Sequence, residues 1–136
     1  MKLVDELLEV SEDEALVRAR VREDWPLAAG GKVPALVSIE LCAQSAGVLA
    51  GWKRRSIERL GGRGWLVGVR DAALYANEIA VGSDLRIRIQ PLLEMDAYAV
   101  YRGEVHEGES LLAEVELQVF RPADFDAQMP LGEDAL

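Results

Sequence analysis

Glu40 is the residue whose type and setting most directly suggest chemistry. It is the one charged side chain in the otherwise nearly apolar run from residue 35 to residue 52, with Pro34 just before the run and Gln44 four residues after Glu40. An ionised carboxylate is costly to remove from water, so a carboxylate among apolar residues usually has a partner or takes part in proton transfer. We therefore predict that Glu40 is catalytic. The alternative is a structural carboxylate paired with Gln44.

Other catalytic and metal-binding arrangements find little support in the sequence. The single cysteine, Cys42, and the single histidine, His106, are too few for a zinc site. Ser38 and Ser45 have no neighbouring base that would complete a nucleophilic triad. The glycines at residues 61–64 do not lie between a strand and a helix, as a phosphate-binding loop requires. We expect no metal and no cofactor, and we expect His106 to lie at the surface.

Composition limits the class of protein. The chain has 136 residues and a formal net charge of −9, which suits one domain and disfavours nucleic acid as the main ligand, since phosphates bind basic surfaces. One cysteine allows no intrachain disulfide and is typical of a reducing compartment. Asp5 and Glu6 interrupt the start before an apolar segment develops, which is not typical of a secretory signal. Because Glu40 and Gln44 also disfavour a membrane span, we expect a cytoplasmic protein.

The hydrophobic pattern changes period along the chain, and this change predicts the elements that would hold Glu40. Apolar and charged residues alternate from Ala15 to Val21, which predicts a strand after a turn at residues 11–14. The small residues at 43, 46, 47 and 50 recur at helical spacing between Pro34 and Gly61, which predicts one long apolar helix. Further strands are predicted at residues 65–69, 85–89, 98–105 and 113–119.

These elements predict an α+β fold, in which an antiparallel sheet of about five strands curls around one long central helix. Turn signals at residues 81–84 and 107–110 support antiparallel connections, and the four later strands are expected to follow one another as a meander. We expect a single domain over residues 1–121. Residues 122–136, with their prolines and acidic side chains, are expected to form a weakly ordered tail.

The order of strand, long helix and four strands resembles the hotdog fold, and the helix start strengthens the resemblance. In beta-hydroxyacyl-acyl-carrier-protein dehydratases a Pro-Gly pair opens the helix, a Glu follows six residues after the Pro, and Ala-Gln comes just after. The sequence matches this pattern at Pro34, Glu40, Ala43 and Gln44. It is most similar to the aryl-polyene-type branch, the predicted hotdog 3-hydroxyacyl-carrier-protein dehydratases, over roughly residues 3–121.

One position departs from this family. Trp25 stands before Pro26 and Leu27, where the branch has the His of a His-Pro-Leu sequence. The resemblance implies that the histidine removes the alpha proton while the glutamate acts on the beta hydroxyl. An indole has no basic nitrogen, so Trp25 does not replace the histidine as a base. We therefore expect weakened or lost dehydratase activity.

The resemblance also implies a substrate site around Glu40. Free backbone N–H groups near Ala35 and Leu36, and the family's strand glycine at Gly68, would polarise a thioester carbonyl in a pocket completed by a second subunit. Pro34 and Gly68 have simpler interpretations, as helix punctuation and as a close-packing residue. The candidate substrate-binding residues are Trp25, Pro34, Ala35, Leu36, Gln44 and Gly68. The other two tryptophans, Trp52 and Trp65, are expected to pack in the core.

A basic cluster follows the helix in an otherwise acidic chain. Such a cluster would attract an acidic acyl carrier protein or the phosphates of coenzyme A, or it would only complement the carboxyl end of the helix. The candidate carrier-binding residues are Lys53, Arg54, Arg55 and Arg59.

Three functions compete on this evidence. The first is a 3-hydroxyacyl-thioester dehydratase, a lyase of fatty acid or polyene biosynthesis. The second is a thioesterase with Glu40 as base or nucleophile. The third is a non-catalytic acyl-binding or partner subunit.

The expected partners are an acyl thioester on an acyl carrier protein or coenzyme A, and a second chain in a homodimer, a higher homo-oligomer or a heterodimer with an active dehydratase. Nucleic acid and membrane are not expected as partners.

Overall fold

A computed structural model describes residues 1–53 and 66–120 of the chain, and of Leu66 it describes only the backbone. Within these ranges one helix and several strands follow in the order β1 (Glu6–Val10), β2 (Ala15–Arg20), β3 (Lys32–Pro34), α1 (Val37–Lys53), β4 (Leu66–Leu74), β5 (Glu78–Ala80), β6 (Asp84–Glu94), β7 (Tyr98–Glu107) and β8 (Ser110–Phe120).

The main sheet is antiparallel and has six strands in the order β1-β2-β6-β7-β8-β4, while β3 and β5 form a separate pair. The prediction of an α+β fold with an antiparallel sheet is confirmed, but the strand number of about five was too low because β1 was not predicted. The predicted four-strand meander is also wrong. Only β6, β7 and β8 follow one another, and β4 pairs with β8 at the far edge.

Helix α1 lies against the sheet and contacts β6, β7 and β8 most extensively. Its described part has 17 residues and is shorter than the long helix predicted between Pro34 and Gly61. Pro34 does not open the helix either, since it ends β3 and pairs with Glu78. The end of the prediction, beyond Lys53, lies outside the described residues.

Alternation of apolar and polar residues places one face of each central strand in the core. On β6, Leu85, Ile87 and Ile89 are fully buried, and on β8 Val115 and Leu117 face the same core, where they meet the buried side of the helix. Trp52 packs against this core, as predicted, whereas Trp65 is not among the described residues.

The predicted turns contain residues that suit them. Gly82 and Gly108 have φ values of 97° and 61°, which a glycine adopts without the steric penalty of a Cβ.

In the part of the chain that the structure describes, no helix is both long and apolar enough to cross a membrane. The tail predicted for residues 122–136 also falls outside this part.

Candidate functional site

The loop before β3 brings an apolar residue to the surface beside the helix start. The Ala28 N–H donates to the Trp25 carbonyl at 3.1 Å and closes a turn with Pro26 and Leu27 at its centre. Pro26 fixes the first central position, and Leu27 has a φ of 71°, the left-handed value that the second central position of a type II turn requires. Leu27 is 68% exposed.

The connection from β3 to α1 sets the first turn of the helix. The Ser38 N–H donates to the Ala35 carbonyl, and the Ile39 N–H donates to the Leu36 carbonyl. The Ala35 N–H donates to the Asn77 carbonyl at 2.9 Å, so the prediction that this group is free for a substrate is wrong. The Leu36 and Val37 N–H groups have no acceptor among the described residues and are the donors that remain at this helix start.

A surface cleft of about 320 Å³ lies between the turn and the helix start. We call it the Glu40 cleft, because Glu40 is the only ionisable side chain among the described residues that line it. Its remaining lining residues are apolar, namely Met1, Leu3, Pro26, Leu27, Leu36 and Val37. The volume is at the lower end of the range of roughly 300–1,000 Å³ that is usual for small-molecule sites.

Glu40 lies in the first turn of α1, where a negative charge interacts favourably with the helix dipole. Its side chain is exposed, so the apolar residues around it in the sequence do not remove it from water within a single chain. The residue points outward because the buried side of the helix is occupied by Val37, Leu41 and Cys42. Glu40 Oε2 accepts a hydrogen bond from Gln44 Nε2 at 3.0 Å, which is the pairing predicted for a structural carboxylate.

Gln44 links Glu40 to residues 1–5, which we call the 1–5 segment. Gln44 Nε2 donates to the Met1 carbonyl at 2.8 Å as well as to Glu40. Gln44 Oε1 accepts from the Leu3 and Val4 N–H groups at 2.7 and 3.2 Å. The side chain therefore holds a wall of the Glu40 cleft in place.

Arg22 holds the other end of the 1–5 segment. Its guanidinium donates to the Lys2 carbonyl at 3.3 Å and to the Asp5 carboxylate at 3.0 Å. It also lies over the ring of Trp25, 5.9 Å from the ring centroid. Leu3 and Val4, whose N–H groups bind Gln44, are also buried in the core, so the segment packs as part of the fold.

Trp25 lies in the core and does not line the Glu40 cleft. It is 2% exposed, and its Nε1 has no hydrogen-bond partner among the described residues. The neighbouring residues Pro26 and Leu27, not Trp25 itself, reach the cleft. His106, on β7, is half-buried with Nε2 4.0 Å from Glu104 Oε1, and it is not among the cleft residues.

The structure brings some of the candidate residues together and separates others. Leu36 and Glu40 line the cleft, and Gln44 is hydrogen-bonded to Glu40 without being a lining residue. Pro34 and Ala35 come just before Leu36 in the chain and do not line the cleft either. Gly68 lies on β4 opposite Gln118, whose Nε2 would be 3.1 Å from an added Cβ, and it does not line the cleft of this chain. Its predicted role needs a second subunit and stays a prediction.

Of the four candidate carrier-binding residues, Lys53 is described. Its Nζ donates to both carboxylate oxygens of Glu94, at 2.9 and 2.7 Å, and its side chain is 18% exposed. The ammonium group is therefore already neutralised within this chain. Arg54, Arg55 and Arg59 lie outside the described residues.

Five cleft residues were not predicted from the sequence: Met1, Leu3, Pro26, Leu27 and Val37. Leu27 could have been found from its position in the Pro26–Leu27 pair, which the resemblance already placed beside the family histidine. Met1 and Leu3 have no comparable signal, because a contact between residues 41 positions apart leaves no local pattern.

A family model for ApeP-like proteins, described as ApeP dehydratase, matches residues 1–130 of the chain. The chain belongs to the ApeP-like dehydratase family. This confirms the resemblance drawn from Pro34, Glu40, Ala43 and Gln44. A search of curated protein sequences finds no match to this ApeP-like chain.

Solved structures similar to this ApeP-like chain share its fold. The dehydratase heterocomplex ApeI:P from Xenorhabdus doucetiae matches with a TM-score of 0.81 and 24% identity, over 89% of this chain and 83% of that chain. Zebra fish thioesterase superfamily member 2 matches with a TM-score of 0.63 and 17% identity, over 85% and 80% of the two chains. The protein smu.793 from Streptococcus mutans, solved with acetyl CoA, matches with a TM-score of 0.61 and 16% identity, over 88% and 89%. The hotdog fold predicted for the chain is thereby confirmed.

Proposed function

We propose that this ApeP-like chain binds acyl thioesters in the Glu40 cleft and contributes Glu40 to the dehydration of 3-hydroxyacyl thioesters, with activity weakened by the loss of the family histidine. The observation that carries the proposal is the single carboxylate of Glu40 in a cleft whose other described lining residues are apolar. An apolar cleft suits an acyl chain, and a carboxylate at its wall suits proton transfer.

Dehydration breaks a Cα–H bond and a Cβ–O bond and forms a double bond and water. One group must accept the alpha proton, and another must protonate the departing hydroxyl. Glu40 Oε2 is held by Gln44, while Oε1 has no hydrogen-bond partner among the described residues and is available for a proton. In its protonated form Glu40 would give that proton to the hydroxyl. The Leu36 N–H would donate to the thioester carbonyl.

The alpha proton needs a base that this chain does not supply at position 25. Trp25 has no basic nitrogen and is buried in the core. We propose that water accepts the proton slowly in a homodimer, or that a partner subunit supplies the base in a heterodimer with an active dehydratase. The name of the ApeI:P heterocomplex supports the second arrangement.

Assembly is further supported by the free edge of the sheet. Among the described strands, β4 pairs only with β8, and it exposes Val67 and Val69. An unpaired edge strand with exposed apolar side chains favours association with another chain. We propose that two subunits meet along this edge.

The test of the proposed function is turnover by the purified protein and its Glu40→Gln variant. With 3-hydroxybutyryl and crotonyl thioesters, the absorbance of the conjugated double bond should change slowly, and Glu40→Gln should lower the rate by about a hundredfold or more. Glu9→Gln removes an exposed carboxylate from β1 and should leave the rate unchanged. Equal rates for Glu40→Gln and the unchanged protein would contradict the proposal.

A thioesterase is the second candidate, because a lone carboxylate without a histidine suits activation of water or direct attack on the thioester. In that case the 3-hydroxybutyryl thioester would release free thiol without a rise in double-bond absorbance, and Glu40→Gln would abolish this release. Binding of acyl thioesters without turnover of either kind would favour a non-catalytic subunit.

A further inference from the structure

Leu27 is a large apolar residue that the fold holds in an unfavourable backbone conformation with its side chain in the open. Its φ of 71° is disfavoured for any residue with a Cβ, and above all for a bulky one. It is 68% exposed, so burial in the core does not compensate for this conformation. A strained residue that gains little from packing in its own chain points to a role in binding.

The turn itself does not require a leucine. The second central position of a type II turn favours glycine or asparagine, which adopt positive φ easily. The same loop has glycines at two other positions of positive φ, Gly30 and Gly31. At residue 27 a glycine would serve the backbone better, and what the leucine adds is an apolar side chain at the wall of the Glu40 cleft.

The setting of Leu27 indicates what that side chain would contact. Leu36 lines the same cleft and is 55% exposed, so the cleft offers apolar surface from both the turn and the helix start. Glu40 is the only ionisable side chain among the described lining residues, so a ligand that fills the cleft must be apolar apart from its reacting end.

We propose that Leu27 is a specificity-determining residue that packs against the hydrocarbon part of the acyl group and favours longer acyl chains over acetyl. This inference rests on the proposed function of the Glu40 cleft. It goes further by assigning the preference for chain length to one side chain, whose contact is lost when the acyl group is too short to reach it.

The test compares Leu27→Gly and Leu27→Ala with the unchanged protein. The probes are non-hydrolysable thioether analogues of acetyl-pantetheine and octanoyl-pantetheine, with binding measured by calorimetry. Both variants should bind the octanoyl probe about tenfold more weakly, since a leucine contact is lost, and should bind the acetyl probe as the unchanged protein does. Leu92→Ala removes another exposed leucine, which lies outside the cleft, and should change neither affinity.

A second measurement separates binding from folding. Glycine adopts the positive φ of residue 27 without strain, whereas alanine does not. Leu27→Gly should therefore melt a few degrees above Leu27→Ala. Lower stability together with lower affinity would identify Leu27 as a packing residue and overturn the inference. A change of oligomeric state in sedimentation would place Leu27 in a subunit interface and overturn it as well.

The outcomes distinguish this inference from the proposed function. If the unchanged protein binds the octanoyl probe and Leu27→Gly binds it equally well, the cleft binds acyl groups and only the role of Leu27 is wrong. If the unchanged protein binds neither probe, the proposed function fails and this inference fails with it.

Discussion

At the scale of single residues, Gln44 determines how Glu40 is presented. A glutamine amide offers two donor hydrogens and two acceptor lone pairs, and the contacts to Met1, Leu3, Val4 and Glu40 use all of them. These contacts fix the orientation of the Gln44 side-chain amide. Its oxygen must face the two N–H groups, and its nitrogen must face the carbonyl and carboxylate oxygens. Gln44 therefore has no donor or acceptor left for a substrate, and we now interpret it as a residue that positions Glu40.

Replacement of Gln44 by leucine should release the 1–5 segment. The buried Leu3 and Val4 N–H groups would lose their acceptor, which should cost about 1–3 kcal/mol in the free energy of unfolding. Urea denaturation measures this cost, and hydrogen exchange at the two amides should become faster. Gln90→Leu, which loses one hydrogen bond to Glu14, is the matched control. Unchanged exchange at Leu3 and Val4 would count against the role of Gln44.

Gly103 allows helix α1 to approach the sheet. A Cβ at this position would lie 2.6 Å from Cys42 Sγ and 3.0 Å from Cys42 Cβ. We expect Gly103→Ala to lower the free energy of unfolding by about 1–3 kcal/mol through overpacking, and Cys42→Ala to recover part of the loss. Gly47, exposed on the helix with nothing near its added Cβ, is the control, and Gly47→Ala should raise the melting temperature. Equal effects of the two glycine substitutions would contradict the close approach.

The buried thiol of Cys42 makes stability depend on alkaline pH. Burial raises its pKa from 9.0 to about 12, with a smaller contribution from the negative charge of Glu104. The unfolded chain therefore loses this proton near pH 9, whereas the folded chain retains it to about pH 12. The stabilisation is complete below the unfolded pKa and is lost as pH rises through the folded pKa.

The matching measurement is urea denaturation of the unchanged protein and of Cys42→Ala at about pH 8 and about pH 10. Between these values the unchanged protein should lose roughly 1 kcal/mol more than the variant, because only its unfolded state releases the thiol proton. Parallel losses in both proteins would show that the Cys42 thiol does not titrate differently on folding.

At the scale of elements, side chains of like charge lie opposite each other on the outer face of the sheet, and a side chain of the opposite charge pairs with both of them. Arg18 on β2 lies opposite Arg86 on β6, and Asp84 Oδ1 accepts from both guanidinium groups, at 3.0 and 2.9 Å. This pairing holds the pKa of Asp84 below its usual value, first through the hydrogen bond from Arg18. Like charges opposite each other on a sheet are unfavourable unless such a counter-charge intervenes.

Arg102 has the same role for two carboxylates. Glu104 on β7 lies opposite Glu114 on β8, and Arg102 Nη2 donates to both. Arg102→Met should destabilise the protein by about 1 kcal/mol, and Glu104→Gln in the same chain should recover part of that loss. Denaturation at low and high salt should show a smaller effect at high salt. An effect that does not depend on salt would indicate lost packing of the arginine stem instead.

At the scale of the whole molecule, the edge of β4 that no described strand covers should decide association. Val69 is exposed there, and a lysine in its place would bring a charge into an interface along this edge. We expect Val69→Lys to lower the association constant of a homodimer in sedimentation equilibrium, while Leu92→Lys, on the β6–β7 hairpin, should leave it unchanged. Equal association of both variants would place the interface elsewhere.

The sequence by itself determined the elements that have a local period. Alternation of apolar and charged residues predicted β2, β6 and β8, because each strand presents every second side chain to the same face. Richness in strand-forming residues predicted β7. The pattern of Pro34, Glu40, Ala43 and Gln44 was sufficient to predict the family, and the apolar run with one carboxylate marked the helix that carries Glu40.

Only the tertiary structure decided what surrounds Glu40. Leu3 contacts Gln44, which is 41 positions away in the sequence, and the Asn77 carbonyl accepts the Ala35 N–H. Strand β4 pairs with β8 and not with the strand that follows it in the chain. Such contacts depend on which surfaces the folded chain brings together, and no local spacing records them. The sequence therefore predicted the carboxylate and its helix. Folding placed Glu40 at an exposed cleft, with Oε2 bound to Gln44 and Oε1 without a partner among the described residues.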